Sequence, residues 1–319
     1  MKIGIIGAGA LGSLIGFYLS EQADVWLLSR RPEQVEAINR DGLRRELDGA
    51  ETTRHLRASA DPSVIGRCDL VVVLVKSYQT AWAAEQARLL IGTEGLGLMT
   101  ESEDPARSPI VVTLQNGLGN RELLAAALGP DRVGQGVTAL GATLLGPGRV
   151  REAGQGVTVF GAAPHQPALM ALAELFRACG LPAEIVDDLE SLIWGKLVVN
   201  AGINALTALL RVPNGALVEN PDARALVASA VAEAAAVARA LGIALPYDDP
   251  LERTQTVARA TKANHSSMLQ DVLRGSPTEI DAINGAIERE GRRLGIPTPI
   301  NSMLAALVRA LESTAGTRV

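Results

Sequence analysis

Between Ser191 and Leu206 the chain reads SLIWGKLVVNAGINAL, and Lys196, Asn200 and Asn204 recur at every fourth position. On an α-helix, residues four apart drift by only ~40° around the axis, so the three polar groups form one stripe on an otherwise apolar helix. Leu197, Val198, Val199, Ile203 and Leu206 flank it. An ammonium among hydrophobes gives up its proton more readily than one in water and can serve as a general acid near neutral pH, while carboxamides can hold hydroxyl and carbonyl groups. Burying such a stripe without partners is costly, which asks for a ligand or a water-filled cleft. A solvated helix edge is the alternative.

A second group of residues suits a nucleotide. Gly7-Ala8-Gly9-Ala10-Leu11-Gly12 follows a short apolar run and opens a helix-periodic stretch, the context in which G-x-G-x-x-G cradles a pyrophosphate. Gly7 permits the tight turn, Gly9 the approach of the phosphates and Gly12 close packing of helix on strand. After the second apolar run, where an NAD site usually carries Asp or Glu, stand Ser29-Arg30-Arg31. Two guanidiniums suit a 2′-phosphate and point to NADP(H), with a solvated arginine pair as the alternative. FAD also binds this kind of turn. Lys76 follows the third run, at the carboxyl edge where doubly wound sheets bind ligands, and Gln115-Asn116-Gly117 follows the fourth, where a tight turn alone also explains Asn-Gly. Of the 30 basic residues only four are lysines, Lys2, Lys76, Lys196 and Lys262.

Other polar groups read more blandly. Thr278 and Asp281 have capping-box spacing before a helix expected over 278–294, which would leave Glu279 exposed in its first turn and undecided in role. His55, His165 and His265 form neither a metal pair nor a triad and read as surface residues; no metal site is expected. Cys68 and Cys179 have no metal or disulfide spacing and read as buried small hydrophobes in a reducing cytoplasm.

The elements that must position these groups follow from periodicity. Apolar runs at 3–6, 25–28, 70–75 and 110–114, with helices at 32–39 and 80–90 between them, predict right-handed βαβ units on a parallel sheet. Residues 134–161 read as an antiparallel hairpin appended to that sheet, turning at Gly146-Pro147-Gly148. A helix at 168–178 and a strand at 183–186 come next, and then only helices, at 189–210, 221–241, 250–264, 278–294 and 301–312. The fold class is therefore α/β, a Rossmann-type dinucleotide-binding domain over 1–187 followed by an all-α substrate domain over 188–319, with a cleft expected between them. Residues 99–108 are polar and read as a surface loop.

At 319 residues, 47% hydrophobic and 20% charged, the chain has the composition of a globular protein. A net charge of -5 and only 3% aromatics argue against nucleic acid or a membrane surface as partner. The opening MKIGIIGAGALG has no basic n-region or cleavage site, which suits a cytoplasmic location. The apolar run at 197–210 is interrupted by Asn200, Asn204 and Thr207, and falls short of the ~20 residues a membrane span needs. The Ala-rich stretch at 223–240 leaves two packings open, inside its domain or in a homodimer.

Taken in order, these blocks resemble the ketopantoate reductase (2-dehydropantoate 2-reductase) family. The residues that carry the resemblance are Gly7-x-Gly9-Ala10-x-Gly12, Lys76, Gln115-Asn116-Gly117, Trp194-Gly195-Lys196 with Asn200 and Asn204, Pro213-Asn214-Gly215, Ser266-Ser267-Met268 with Asp271, and Thr278-Glu279-Ile280-Asp281 with Asn284-Gly285. They span nearly the whole chain. The resemblance implies NADPH-dependent reduction of 2-dehydropantoate to (R)-pantoate on the way to pantothenate and coenzyme A, with hydride passing from the nicotinamide to C2. It implies Lys196 as the general acid at the C2 oxygen, and Asn200, Asn204 and Asn214 around the substrate's hydroxyl and carbonyl. Ser267 would take its carboxylate, and Glu279 would contact the cofactor and help position Lys196. Gly7, Ala8, Gly9, Ala10, Leu11 and Gly12 would hold the pyrophosphate, Lys76, Asn116 and Ala142 would lie beside the cofactor, and Arg30 would meet the adenosine phosphate, with Arg31 added here on charge. Gly195, Gly202 and Ala205 make the lysine helix slim, which suggests a roomier pocket and leaves room for another substrate. The competing expectations are a reductase of a different 2-oxo acid or imine, and an NADP(H)-sensing protein without turnover, which would have no use for Lys196.

Overall fold

Lys2–Ile6 (β1) breaks at Gly7, and the chain re-enters as the helix Ala10–Leu19 (α1). This computed structural model describes residues 1–92, 109–161 and 166–315. Asp24–Leu28 (β2) pairs parallel with β1, Ile3 opposite Val25 and Ile6 opposite Leu28. Pro32–Asp41 (α2) starts on a proline, which needs no N–H there, and stops at Gly42 with φ 78°.

The next two strands are absent from the expectations drawn above. Leu43–Leu47 (β3) and Ala50–Arg54 (β4) form an antiparallel hairpin before Arg57–Ser59 (β5) returns to the edge beside β2. Their sequences, LRREL and AETTR, carry charge on mostly half-buried positions, so no apolar alternation announces them. The readable signal is the two-residue loop Asp48-Gly49, whose φ values of 50° and 80° make the tight turn favoured in hairpins.

Pro62–Ile65 (α3), Leu70–Val73 (β6), Thr80–Ile91 (α4), Ile110–Thr113 (β7), Asn120–Leu128 (α5) and Val133–Thr138 (β8) complete six parallel strands. The sheet reverses its direction of growth between β1 and β6, the switch point at which such sheets bind ligands. The all-apolar β6 is buried on both faces. Leu70 and Val72 join Ile3, Ile5 and Phe17 on one side, and Val71 and Val73 join Ala83, Leu90 and Leu124 on the other.

The hairpin expected over 134–161 exists but belongs elsewhere. Gly141–Gly146 (β9) and Arg149–Gly154 (β10) pair antiparallel, yet they join β3 and β4 in a separate four-stranded sheet of order β4-β3-β10-β9. The flanking β8 and Thr158–Gly161 (β11) stay in the main sheet, which Gln166–Ala178 (α6) and Ala183–Val186 (β12) complete to eight strands. Side-chain chemistry explains the choice. Arg149 and Arg151 of β10 meet Glu51 and Glu46 at 3.0 and 2.7 Å, while Val150 and Glu152 turn inward, Glu152 accepting the Tyr18 hydroxyl from α1 at 2.7 Å. The small sheet thus packs over α1. The polar stretch 99–108 and His165 lie outside the described residues.

Beyond Val186 the described residues form no strand. The helices are Leu189–Leu210 (α7), Ala216–Glu219 (α8), Pro221–Ala240 (α9), Pro250–Ala260 (α10), Ser267–Leu273 (α11), Asn284–Leu294 (α12) and Pro299–Ser313 (α13). Three open on side-chain caps: Asn220 accepts from Ala223 N–H, Asp249 from Leu251 and Glu252 N–H, and Ser266 from Leu269 N–H. With 22 residues, α7 is long and apolar enough to cross a membrane by length and composition, contrary to the shorter run read from sequence; it is mostly buried inside the protein as a core helix. One face of α9, from Ala223 through Val227, Ala230, Val231 and Ala234 to Ala238, packs into the same core. The chain forms two compact units: Met1–Gln115 with Asn120–Leu189, and Asn116–Gly119 with Glu190–Val319.

Candidate active site

In the first unit the three motif glycines answer to different demands. Gly7 has φ 114° and donates its N–H to Leu28 O at 2.9 Å; a Cβ there would lie 2.8 Å from Val75 N. A Cβ at Gly12 would run into the Gly7 carbonyl. At Gly9 it would meet nothing within 4 Å. The protein's own packing therefore requires the first and third glycines, while the second faces open space at the start of α1, where N–H groups and the helix dipole favour an anion. A pyrophosphate fits that cradle. Ala8 is buried in the turn, and Ala10 and Leu11 are half-buried in the first helical residues.

The two arginines after β2 are exposed and differently engaged. The Arg30 guanidinium lies over the Trp82 indole, 4.9 Å from its centre, a stacking that keeps N–H edges available. Arg31 donates to Ala8 O at 3.3 Å, and its backbone N–H donates to the buried Ser29 Oγ at 3.2 Å. Lys76 is half-buried just past β6. Gln115 donates to Val75 O and to Thr80 Oγ1, each at 2.9 Å, and so ties the ends of β6 and β7 together. Ala142 sits on β9 in the small sheet, opposite Glu152, rather than at the edge of the main sheet.

In the second unit α7 carries the polar stripe. Leu197, Val198, Val199, Ile203 and Leu206 are buried around it, Asn204 is buried, and Lys196 and Asn200 keep partial exposure. The protein around the Lys196 ammonium lowers its pKa to about 8 by taking water from it, and the negative charge of Glu279 works in the opposite sense. Glu279 is 5% exposed, not the surface residue its capping position suggested. The capping box does not form: α12 begins only at Asn284, after a tight 3₁₀ turn over Ile280–Ala282, and Asp281 points outward to Arg309 at 2.7 Å. Burial of Ile280 and Ile283 draws this segment inward, and the Asn284 amide anchors it by donating to Ala201 O of α7 at 3.1 Å.

Three further segments meet in this unit. Asn116 belongs to a stretch whose Leu118 N–H donates to Ala282 O at 3.0 Å; Gly117 has φ 81°, and a Cβ there would collide with the Ala282 backbone. The Asn-Gly pair is therefore a docking point and not only a turn. Asn214 is buried, donates its amide to Thr261 Oγ1 at 2.9 Å, and leaves its Oδ1 without a hydrogen-bond partner among the described residues. Of the serine pair, Ser266 is occupied in capping α11 and in accepting Thr207 Oγ1 from α7 at 2.7 Å, which leaves the half-buried Ser267 as its neighbour in the first turn. The structure thus gathers Asn116, Lys196, Asn200, Asn204, Asn214, Ser267 and Glu279 in the second unit. Gly7 to Gly12, Arg30, Arg31, Lys76 and Ala142 belong to the first.

The slim lysine helix does not open a pocket at its small residues. A Cβ on Gly195 would lie 2.7 Å from Pro246, one on Gly202 2.7 Å from Val231, and Ala205 is fully buried. These positions admit neighbouring elements. Cys68 and Cys179 are buried and free, with burial pushing the Cys68 thiol up to about 11; His55 and His265 are exposed. Sequence reading passed over Trp82 and Gln34, neither of which lies in a recognisable motif.

The family described as ketopantoate reductase PanE/ApbA matches residues 3–165, and its C-terminal domain matches residues 188–312. The chain belongs to the ketopantoate reductase family. It is accordingly an NAD(P)-dependent oxidoreductase. A 2-dehydropantoate 2-reductase of Halobacterium salinarum is 38% identical over 316 residues, covering 98% of this chain and 99% of its own. Among solved structures, a PanE/ApbA family ketopantoate reductase from Ralstonia eutropha JMP134 is 36% identical with a TM-score of 0.87, over 98% of this chain and 99% of the other. D-mandelate dehydrogenase, solved with NADH and anilino(oxo)acetate, is 29% identical with a TM-score of 0.89 over the same shares.

Proposed function

We propose that this ketopantoate reductase family member reduces 2-dehydropantoate to (R)-pantoate with NADPH, in the route to pantothenate and coenzyme A. The observation that carries the reading is the charge interaction of Lys196, its pKa lowered to about 8, with the buried Glu279, Lys196 standing on the helix that also bears Asn200 and Asn204. When bound, the reduced nicotinamide supplies a hydride to the carbonyl carbon. The Lys196 ammonium donates its proton to the C2 oxygen and stabilises the negative charge developing there. Glu279 helps keep that proton on Lys196 until it is needed. Asn200 and Asn204 hold the substrate's carbonyl and hydroxyl, the unpartnered Asn214 Oδ1 accepts from the hydroxyl, and Ser267 donates to the carboxylate. The residues from Gly7 to Gly12 bind the pyrophosphate, Arg30 and Arg31 read the 2′-phosphate, and Lys76, Asn116 and Ala142 complete the cofactor site. Buried free thiols suit the cytoplasm as the place of this reaction.

A second reading has its own support. The D-mandelate dehydrogenase likeness, as close in fold as that of any ketopantoate reductase cited above, favours an aromatic 2-oxo acid as the alternative substrate, with NADH as its cofactor. Steady-state oxidation of NADPH and NADH by the purified protein, with 2-dehydropantoate, phenylglyoxylate and branched 2-oxo acids, separates the two. We expect 2-dehydropantoate with NADPH to give the highest kcat/KM, and Lys196→Ala to lower it by roughly a hundredfold or more. A preference for phenylglyoxylate moves the assignment to the second reading, and no turnover with any acid removes the catalytic reading altogether.

A further inference from the structure

Gln34 is 1% exposed in the first turn of α2, and every strong hydrogen-bonding direction of its amide that the structure describes is directed at a neighbouring element. Its Nε2 donates to Ala8 O at 3.1 Å and to Ser13 Oγ at 3.3 Å, and its Oε1 accepts from Gly148 N–H at 3.0 Å. A flipped amide would set donor against donor at Gly148, so the bonds themselves fix its orientation. Ala8 is inside the glycine turn, Ser13 is in α1, and Gly148 is in the turn between β9 and β10. One buried side chain therefore joins the nucleotide turn to the small sheet.

The Ala8 carbonyl is shared by two donors, Gln34 Nε2 and Arg31 Nη2 at 3.3 Å, both from the α2 side. The Ala8–Gly9 peptide is a rigid plane in which C=O and N–H point in opposite directions. Drawing the Ala8 oxygen toward α2 turns the Gly9 N–H away from it, at the residue whose Cβ position meets no protein atom. We infer that Gln34 is a positioning residue for the dinucleotide pyrophosphate: it acts through the Ala8–Gly9 peptide, holding the Gly9 N–H outward to donate to a phosphate oxygen. This rests on the reading of the turn as a dinucleotide site.

The test compares two ligands on one variant. Gln34→Met preserves length and approximate volume but neither donates to Ala8 O nor accepts strongly from Gly148. Calorimetric titration should find NADP⁺ weakened by about tenfold, the effect of one well-placed hydrogen bond. The affinity for 2′-AMP, which has the 2′-phosphate and no pyrophosphate, should stay within about twofold of wild type, and the NADP⁺ to NAD⁺ preference should not change. Wild-type affinity for NADP⁺ in the variant overturns the inference, and so does an equal loss for NADP⁺ and 2′-AMP, which would mark Gln34 as a general fold residue. Should Gln34→Met not fold, Gln34→Glu keeps the acceptor for Gly148 but cannot donate to Ala8 when ionised, and the same two outcomes apply. A wild-type protein that binds no dinucleotide at all would instead overturn the reading of the site.

Discussion

A lysine with a pKa near 8 changes charge where enzymes are commonly assayed, and the sign of its effect is set by its role. As proton donor, Lys196 works only when protonated, so kcat for reduction should be level at acid and neutral pH and fall about tenfold per unit above about 8. Glu279 holds that pKa up against burial; Glu279→Gln should move the alkaline limb to lower pH, with a larger loss at pH 8 than at pH 6. A pH profile of single-turnover rates checks this, and a limb that stays in place after Glu279→Gln would show that Glu279 does not tune the acid. The stripe of Lys196, Asn200 and Asn204 was legible because helical spacing is a local property. The environment of Glu279 was not. Its capping-like neighbours are local and misleading, whereas its burial depends on Ile280 and Ile283 entering a core made by distant helices.

Elements follow the same division. Apolar runs announced the central parallel strands, since a strand covered on both faces must be apolar throughout. The charged β3 and β4 gave no apolar alternation because β4 is largely exposed and the inward Arg45 of β3 is itself charged, meeting Glu152 and Tyr18. Placement of the β9–β10 hairpin in that sheet goes with the burial of Val150 and the bond from Tyr18 to Glu152, partners supplied by the distant α1, with the exposed pairs of Arg149 and Arg151 adding little. On α7 the glycines serve packing, and this predicts a cost. Gly202→Val places its branched side chain against Val231 and Thr254, and should lower unfolding stability by about 1–3 kcal/mol, the usual penalty of overpacking. Urea denaturation measures it. An unchanged midpoint would mean that the slot at Gly202 has room to yield and that the close approach to α9 is not what requires glycine there.

For the whole molecule, a ligand that binds only the native state stabilises it in proportion to its affinity, by about 2.7 kcal/mol at a hundred times its Kd. If Arg30 and Arg31 read a 2′-phosphate, NADPH at a given concentration should raise Tm more than NADH does, and Arg30→Ala with Arg31→Ala should erase most of the difference. A larger Tm rise with NADH would reassign the cofactor and strengthen the aromatic-acid reading. Short-range pattern in the chain alone determined the α/β then all-α order, the glycine turn, the polar stripe and the family, because helical period, strand alternation and turn chemistry are set within a few residues. Only the tertiary structure decided the lowered pKa of Lys196, the burial of Glu279, the home of the second hairpin and the bridge at Gln34. Each of these depends on desolvation or on partners contributed by remote parts of the chain, and neither is encoded in local spacing.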